Sequence, residues 1–155
     1  LEFERIHPAE PVIRNGRVMI PSGEMYLQLH IPAHAQLSRD AAISSMKEAI
    51  AFFETFYPDE PFAYFVCNTW LLDPILRDFL PDKSKILDFQ RAFDPITRIA
   101  PNDSYKRWLY GFSNIAASDF SEDTSLRRNV KAFVLSGGQM GVGEAFLHKN
   151  YVRHA

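Results

Sequence analysis

Only one cysteine, Cys67, occurs in the 155 residues. A single thiol excludes an internal disulfide framework and any zinc cluster built on cysteines. It fits a reducing compartment, so a cytoplasmic location is the expectation. No stretch approaches the roughly 18 apolar residues of a membrane-spanning helix, and the opening residues lack the pattern of a secretory signal. Neither charge sign is in excess: 17 Lys and Arg face 19 Asp and Glu, a net charge of −2 with a pI near 6.2. That balance gives no general electrostatic reason to expect nucleic acid or an anionic membrane as partner. The local basic cluster of Arg127, Arg128 and Lys131 stands beside Glu122 and Asp123 and reads as a solvated helix face. Glycine is scarce too, and four of the seven fall between positions 137 and 143. Internal repeats and low-complexity stretches are absent. The first residue is Leu1 rather than Met, from which a fragment of a longer protein is expected.

What the sequence does have is bulk. Hydrophobic residues make up 46%, and the aromatics (13 Phe, 6 Tyr, 2 Trp) predict a core of large side chains. At this length one domain can bury roughly two-thirds of its unfolded surface. Residues 1–16, with Pro8 and Pro11 among charges, read as an extended lead-in, and the domain is expected over 17–155. Residues 17–20 and 25–31 are apolar runs around Pro21-Ser22-Gly23-Glu24, the pattern of a hairpin. In the second run Tyr26, Gln28 and His30 alternate with Leu27, Leu29 and Ile31, as in a half-exposed strand. Ser38 then caps a predicted helix over 39–57, with Ile43, Met46, Ile50 and Phe53 at helical spacing. Residues 62–67 predict a buried central strand, 71–80 a short helix, and 85–93 a further strand. Helices are predicted over 105–112 and 124–135, the second ended by Gly137-Gly138. Residues 143–152 suit a last strand or a helix. Strands alternating with helices predict an α/β domain, and the opening hairpin makes its sheet mixed.

The order Leu29-His30-Ile31-Pro32, long helix, Phe65-Val66-Cys67-Asn68-Thr69-Trp70-Leu71-Leu72-Asp73-Pro74, then Ile86-Leu87-Asp88-Phe89-Gln90-Arg91 resembles the C-terminal domain of bacterial GNAT-like acyltransferases. The resemblance runs from about residue 17 to residue 147. It implies a mixed, mainly antiparallel sheet flanked by helices, acetyl-CoA or another acyl-CoA as the donor substrate, and a helical N-terminal domain of the same chain as partner. It further implies transfer of the acyl group to an amine, a small-molecule acceptor. Members of that family hold the CoA pyrophosphate on a loop of the form Gln/Arg-x-x-Gly-x-Gly/Ala between a strand and a helix, where backbone N–H groups meet phosphate. The only Gly-rich stretch, Gly137-Gly138-Gln139-Met140-Gly141-Val142-Gly143, is one residue shorter than that form and follows a predicted helix. It reads either as a helix cap with a turn into a closing strand, or as the close approach of a ligand.

The candidate cofactor-binding residues are accordingly Gln139, Gly141 and Gly143, with Gln90 or Arg91 from a neighbouring strand; an arginine there suits a phosphate or carboxylate. His30, near the end of a strand's polar face, is the candidate general base, since imidazole titrates near neutrality. No metal is expected: His30 and His34 are four apart, but Pro32 breaks the helix that would align them. Cys67 ends an apolar run and reads as a small buried thiol. Three functions stay open. One is an acyl-CoA-dependent N-acyltransferase, one a non-catalytic GNAT-like module for ligand binding or interdomain docking, and one a thiol enzyme built on Cys67.

Overall fold

The computed structural model describes residues 1–155. Its first half runs β1 (Glu2–Ile6), β2 (Val12–Arg14), β3 (Arg17–Ile20), β4 (Tyr26–His30), α1 (Arg39–Phe56) and β5 (Tyr64–Thr69). A 3-10 turn (Trp70–Leu72), α2 (Leu76–Phe79), α3 (Lys85–Gln90), β6 (Thr97–Pro101) and α4 (Ser104–Tyr110) follow. A second 3-10 turn (Ala117–Asp119), α5 (Ser125–Leu135), β7 (Gly141–His148) and α6 (Lys149–His154) complete it. Five strands form one sheet in the order β1-β4-β5-β7-β6, and β2 with β3 forms a separate hairpin. β4 and β5 are parallel while every other neighbouring pair is antiparallel, so the sheet is mixed and mainly antiparallel. No helix is long and apolar enough to cross a membrane.

The core follows from two periodicities. Leu27 and Leu29, Phe65 and Cys67, Ala145 and Leu147 alternate onto one sheet face. α1 lies over them through Ala42, Ile43, Met46, Ala49, Ile50 and Phe53, the face its 3.6-residue spacing predicts. Each large side chain buried there contributes about 1.5–3 kcal/mol. Ser38 accepts the Ala41 N–H at 3.2 Å and fixes where the helix begins. A second apolar cluster joins Trp70, Leu71, Ile86, Tyr105, Leu109 and Val130 beyond the end of β5. The opposite sheet face carries Tyr26, Gln28, His30, Tyr64, Asn68, Glu144 and Phe146, none of which belongs to either cluster.

Several expectations need correction. Residues 1–16 are no mere lead-in, because β1 pairs with β4 from Glu2↔His30 to Ile6↔Tyr26. Phe3 alternates inward, its ring 5.8 Å from that of Phe65, and Arg5 bonds Glu60 at 2.7 Å. The hairpin predicted around Pro21-Ser22-Gly23-Glu24 does not form. β3 pairs instead with β2 through Asn15-Gly16, whose φ angles of 50° and 75° are the left-handed values a two-residue hairpin turn requires. Residues 85–93 are not a strand: Ser84 accepts the Ile86 N–H at the start of α3, whose Ile86, Leu87 and Phe89 are buried, and Phe93 follows after its end. Gln90 and Arg91 therefore leave the end of a helix rather than alternating along a strand. The helix predicted over 71–80 is divided between the first 3-10 turn and α2, with Pro74 between them. β6 went unpredicted, since all five of its residues are exposed and carry no apolar alternation.

Candidate functional site

β4 and β5 run side by side from Tyr26↔Tyr64 to Leu29↔Cys67 and then part. β5 stays paired with β7 for two more residues, through Asn68↔Glu144 and Thr69↔Gly143. In a strand a residue turns its N–H and C=O to the same edge, and successive residues alternate. One of Asn68 and Thr69 therefore turns its backbone toward the gap that β4 leaves. The gap opens into a cleft of 760 Å³ at the carboxyl ends of the two parallel strands, where open α/β sheets form crevices. Leu29, Ile31, Leu37, Trp70, Leu71 and Leu109 give it apolar walls, and Trp108 stands at its side 63% exposed. Glu2, His30, Asn68, Asn102 and Ser104 supply the polar groups.

His30 lines this cleft. Its Nε2 lies 2.9 Å from the Glu4 carboxylate on β1, a partner that the lead-in reading had hidden. With Nε2–H donating to Glu4, Nδ1 keeps its lone pair. Across the same face runs a polar row: Glu2 on β1, His30, Asn68, Glu144 and Thr97. Glu144 is almost fully buried, yet both its oxygens are met by the Arg14 guanidinium of the hairpin, one bond measuring 2.8 Å. Asn68 also donates to it at 3.5 Å. The Glu144 hydrogen bond raises the Arg14 pKa further, and burial, followed by the Glu144 charge, raises that of the Tyr26 phenol. This pair fastens the β2–β3 hairpin to the sheet beside the cleft.

The other candidates fall elsewhere. Gly141 and Gly143 lie within β7, and the Gly141 N–H is already given to the Asp73 carboxylate. Gln139 offers its carbonyl to Arg98 at 2.6 Å. The Gly141 amide is thus engaged within the fold. Gln90 is fully buried; its Nε2 donates to the Leu71 and Asp73 carbonyls at 2.9 and 3.2 Å, and Arg77 donates to its Oε1 at 2.8 Å. Asp73, equally buried, also accepts from Arg98 at 2.8 Å and from the Ile75 N–H at 3.2 Å. These bonds stitch Leu71 of the wall and the neighbouring Asp73 to β6, β7 and α3. Arg91 is exposed, 3.2 Å from Asp88, at a second, smaller cavity. Residues 31–38 connect β4 to α1, and Ile31, Pro32, Ala33, Ala35 and Leu37 among them line the cleft. No three His, Cys, Asp or Glu side chains gather as a metal site would require.

Cys67 faces the core, and burial pushes its thiol up to about 12. A thiol held protonated is a poor nucleophile, which removes the support for a thiol enzyme. Native protein is expected to resist a neutral alkylating reagent for hours at pH 8, with labelling on addition of denaturant; rapid stoichiometric labelling without denaturant would contradict the burial. The linkage has a definite sign. The folded thiol keeps its proton while the unfolded one loses it near pH 9, so stability is fully present below pH 9 and declines as pH rises toward 12.

The family model of the GNAT-like C-terminal domain matches residues 1–147, the opening strand included. No curated protein matches the sequence. Among solved structures the fold is similar to an acyltransferase in complex with decanoyl-CoA, at 24% identity and a TM-score of 0.68 over 81% of this chain and 40% of that one. It is similar also to an acyltransferase in complex with decanoyl-CoA and teicoplanin, at 24% identity and a TM-score of 0.70 over 81% of this chain and 41% of that one. A third, in complex with CoA and 10C-Teicoplanin, has 23% identity and a TM-score of 0.70 over the same 81% and 41%. The chain therefore spans 40–41% of the length of these proteins, and at such identity the likeness is one of fold.

Proposed function

The chain belongs to the GNAT-like C-terminal domain family, and from that premise we propose that it takes an acyl-CoA thioester into the cleft between β4 and β5 and passes the acyl group to an amine. The parting of the two parallel strands carries this reading. It leaves an edge of backbone at Asn68–Thr69 without a β4 partner and opens an apolar cleft next to an imidazole. Such an edge suits an amide of a pantetheine arm.

The chemistry uses few groups. The acceptor amine adds its lone pair to the thioester carbonyl carbon, forming the C–N bond. His30 Nδ1 takes the proton that nitrogen sheds, while Glu4 holds Nε2 and fixes the ring. Collapse of the tetrahedral intermediate breaks the C–S bond, and the proton returns to the departing CoA thiolate. No covalent enzyme intermediate is needed, in keeping with the buried Cys67. The acceptor approaches from the helix-free sheet face on which His30 lies, where a helical N-terminal domain of the same protein would complete its site.

The apolar walls suit a chain longer than acetyl. Each methylene they bury adds about 0.8 kcal/mol, so affinity is expected to rise up to about fourfold per CH₂ from acetyl-CoA toward decanoyl-CoA. Trp108→Ala should flatten that rise, leaving acetyl-CoA affinity unchanged. Calorimetry across the acyl series, with thiol release measured in the presence of candidate amines, tests the reading. Absence of binding throughout ends it. Binding without thiol release for any amine leaves a ligand-binding module.

A further inference from the structure

Thirteen of the 17 Lys and Arg side chains have a carboxylate or carbonyl partner. Arg17, Lys83, Lys85 and Arg107 have none. Two of these four, Lys83 and Lys85, stand two residues apart and line one cavity of 400 Å³. That cavity adjoins the acyl cleft, and Leu37 lines both. It differs from its neighbour in kind, since Leu37 is its one hydrophobic lining residue against 12 of 19 in the cleft.

Its remaining groups are Gln36, Ser38, Ser84, Arg91, Asp82 and Asp88. Most are already engaged. Ser38 and Ser84 accept the Ala41 and Ile86 N–H groups, and Asp88 accepts the Arg39 N–H at 3.0 Å and Arg91 at 3.2 Å. Asp82 alone opposes the two free ammonium groups. The cavity thus keeps a surplus of unmet positive charge next to an apolar cleft. A ligand filling both must be apolar at one end and strongly anionic at the other.

We propose that Lys83 and Lys85 hold the 3′-phosphate of CoA, with the acyl-pantetheine arm crossing Leu37 into the cleft. The inference rests on the acyl-CoA reading above. A phosphate dianion between two lysines gains charge-assisted bonds that neither lysine finds within the protein.

Calorimetry on the full-length protein at low salt, with CoA and 3′-dephospho-CoA as probes, separates the possibilities. Wild type is expected to prefer CoA by about tenfold, a preference that shrinks as salt screens the pair. The Lys83→Met/Lys85→Met double variant should lose that preference while binding 3′-dephospho-CoA unchanged. Arg17→Met removes a charge of the same sign that does not line the cavity and should keep it. A preference that survives the double variant overturns the proposal, as does the lack of any preference in wild type. Equal weakening of both probes also overturns it, since the lysines would then hold the pyrophosphate. Wild type binding neither probe ends the acyl-CoA reading itself.

Discussion

His30→Ala is expected to lower kcat for acyl transfer about a hundredfold or more, within the usual range for loss of a general base. Its effect on acyl-CoA affinity should stay within about twofold, because the ring is half-exposed at the cleft's rim and buries little apolar area. Glu4→Gln keeps the shape and a hydrogen bond but removes the charge that orients Nε2, and should cost about tenfold in kcat with KM for acyl-CoA unchanged. The split between the constants is the informative readout, since distortion of β1 would disturb binding as well. Full activity of His30→Ala would move the base elsewhere in the polar row, Glu144 being the carboxylate to test next. Removing Glu144 needs care, because Arg14 would be left without its partner.

How much of this was written in the residues depends on how local the signal is. α1 and its buried face were legible because a cap and four apolar side chains at helical spacing act within one segment. β5 was legible for the same reason, as a compact run of aromatic and β-branched residues between breakers. Pairing is different, because it depends on which turn closes. Asn15-Gly16 was in plain view as a hairpin signal, but the Pro21-Ser22-Gly23-Glu24 stretch looked equally good, and only the three-dimensional sheet decides between them. Residues 85–93 misled because Ile86, Phe89 and Phe93 satisfy a strand's composition as readily as a helix's face. At the site, His30 could be found from the alternation of β4. Glu4 could not, since its strand was read as a lead-in, and neither could the free state of Lys83 and Lys85, which is a property of their surroundings. The glycines of β7 stand out for close approach, and the structure brings the Leu72 and Ala100 carbonyls against them.

Gly143→Val is expected to leave the protein largely unfolded. A Cβ at this position would stand 1.8 Å from the Leu72 carbonyl oxygen and 2.3 Å from its carbon, with the Ile96 side chain at 2.9 Å. The first two are backbone atoms, so no rotamer change relieves the overlap. The turn that carries them cannot retreat either, because Gln90 holds the carbonyls of Leu71 and Asp73 and the Asp73 carboxylate bonds Gly141 and Arg98. Even Gly143→Ala should cost about 4 kcal/mol, an exceptional value for one methyl group and a large share of a domain's stability. Gly141→Ala meets the Ala100 carbonyl at 2.5 Å, but β6 is an exposed edge strand that can shift, so about 1–2 kcal/mol is expected. Urea unfolding of the three variants should place Gly141→Ala nearest the wild type. A wild-type midpoint for Gly143→Ala would mean that the turn is looser than its hydrogen bonds indicate. Acyl-CoA affinity supplies the second half of the test. A folded Gly141→Ala protein should bind like the wild type, since this amide already serves Asp73. If it instead lost affinity at unchanged stability, the glycine stretch would hold the phosphates after all.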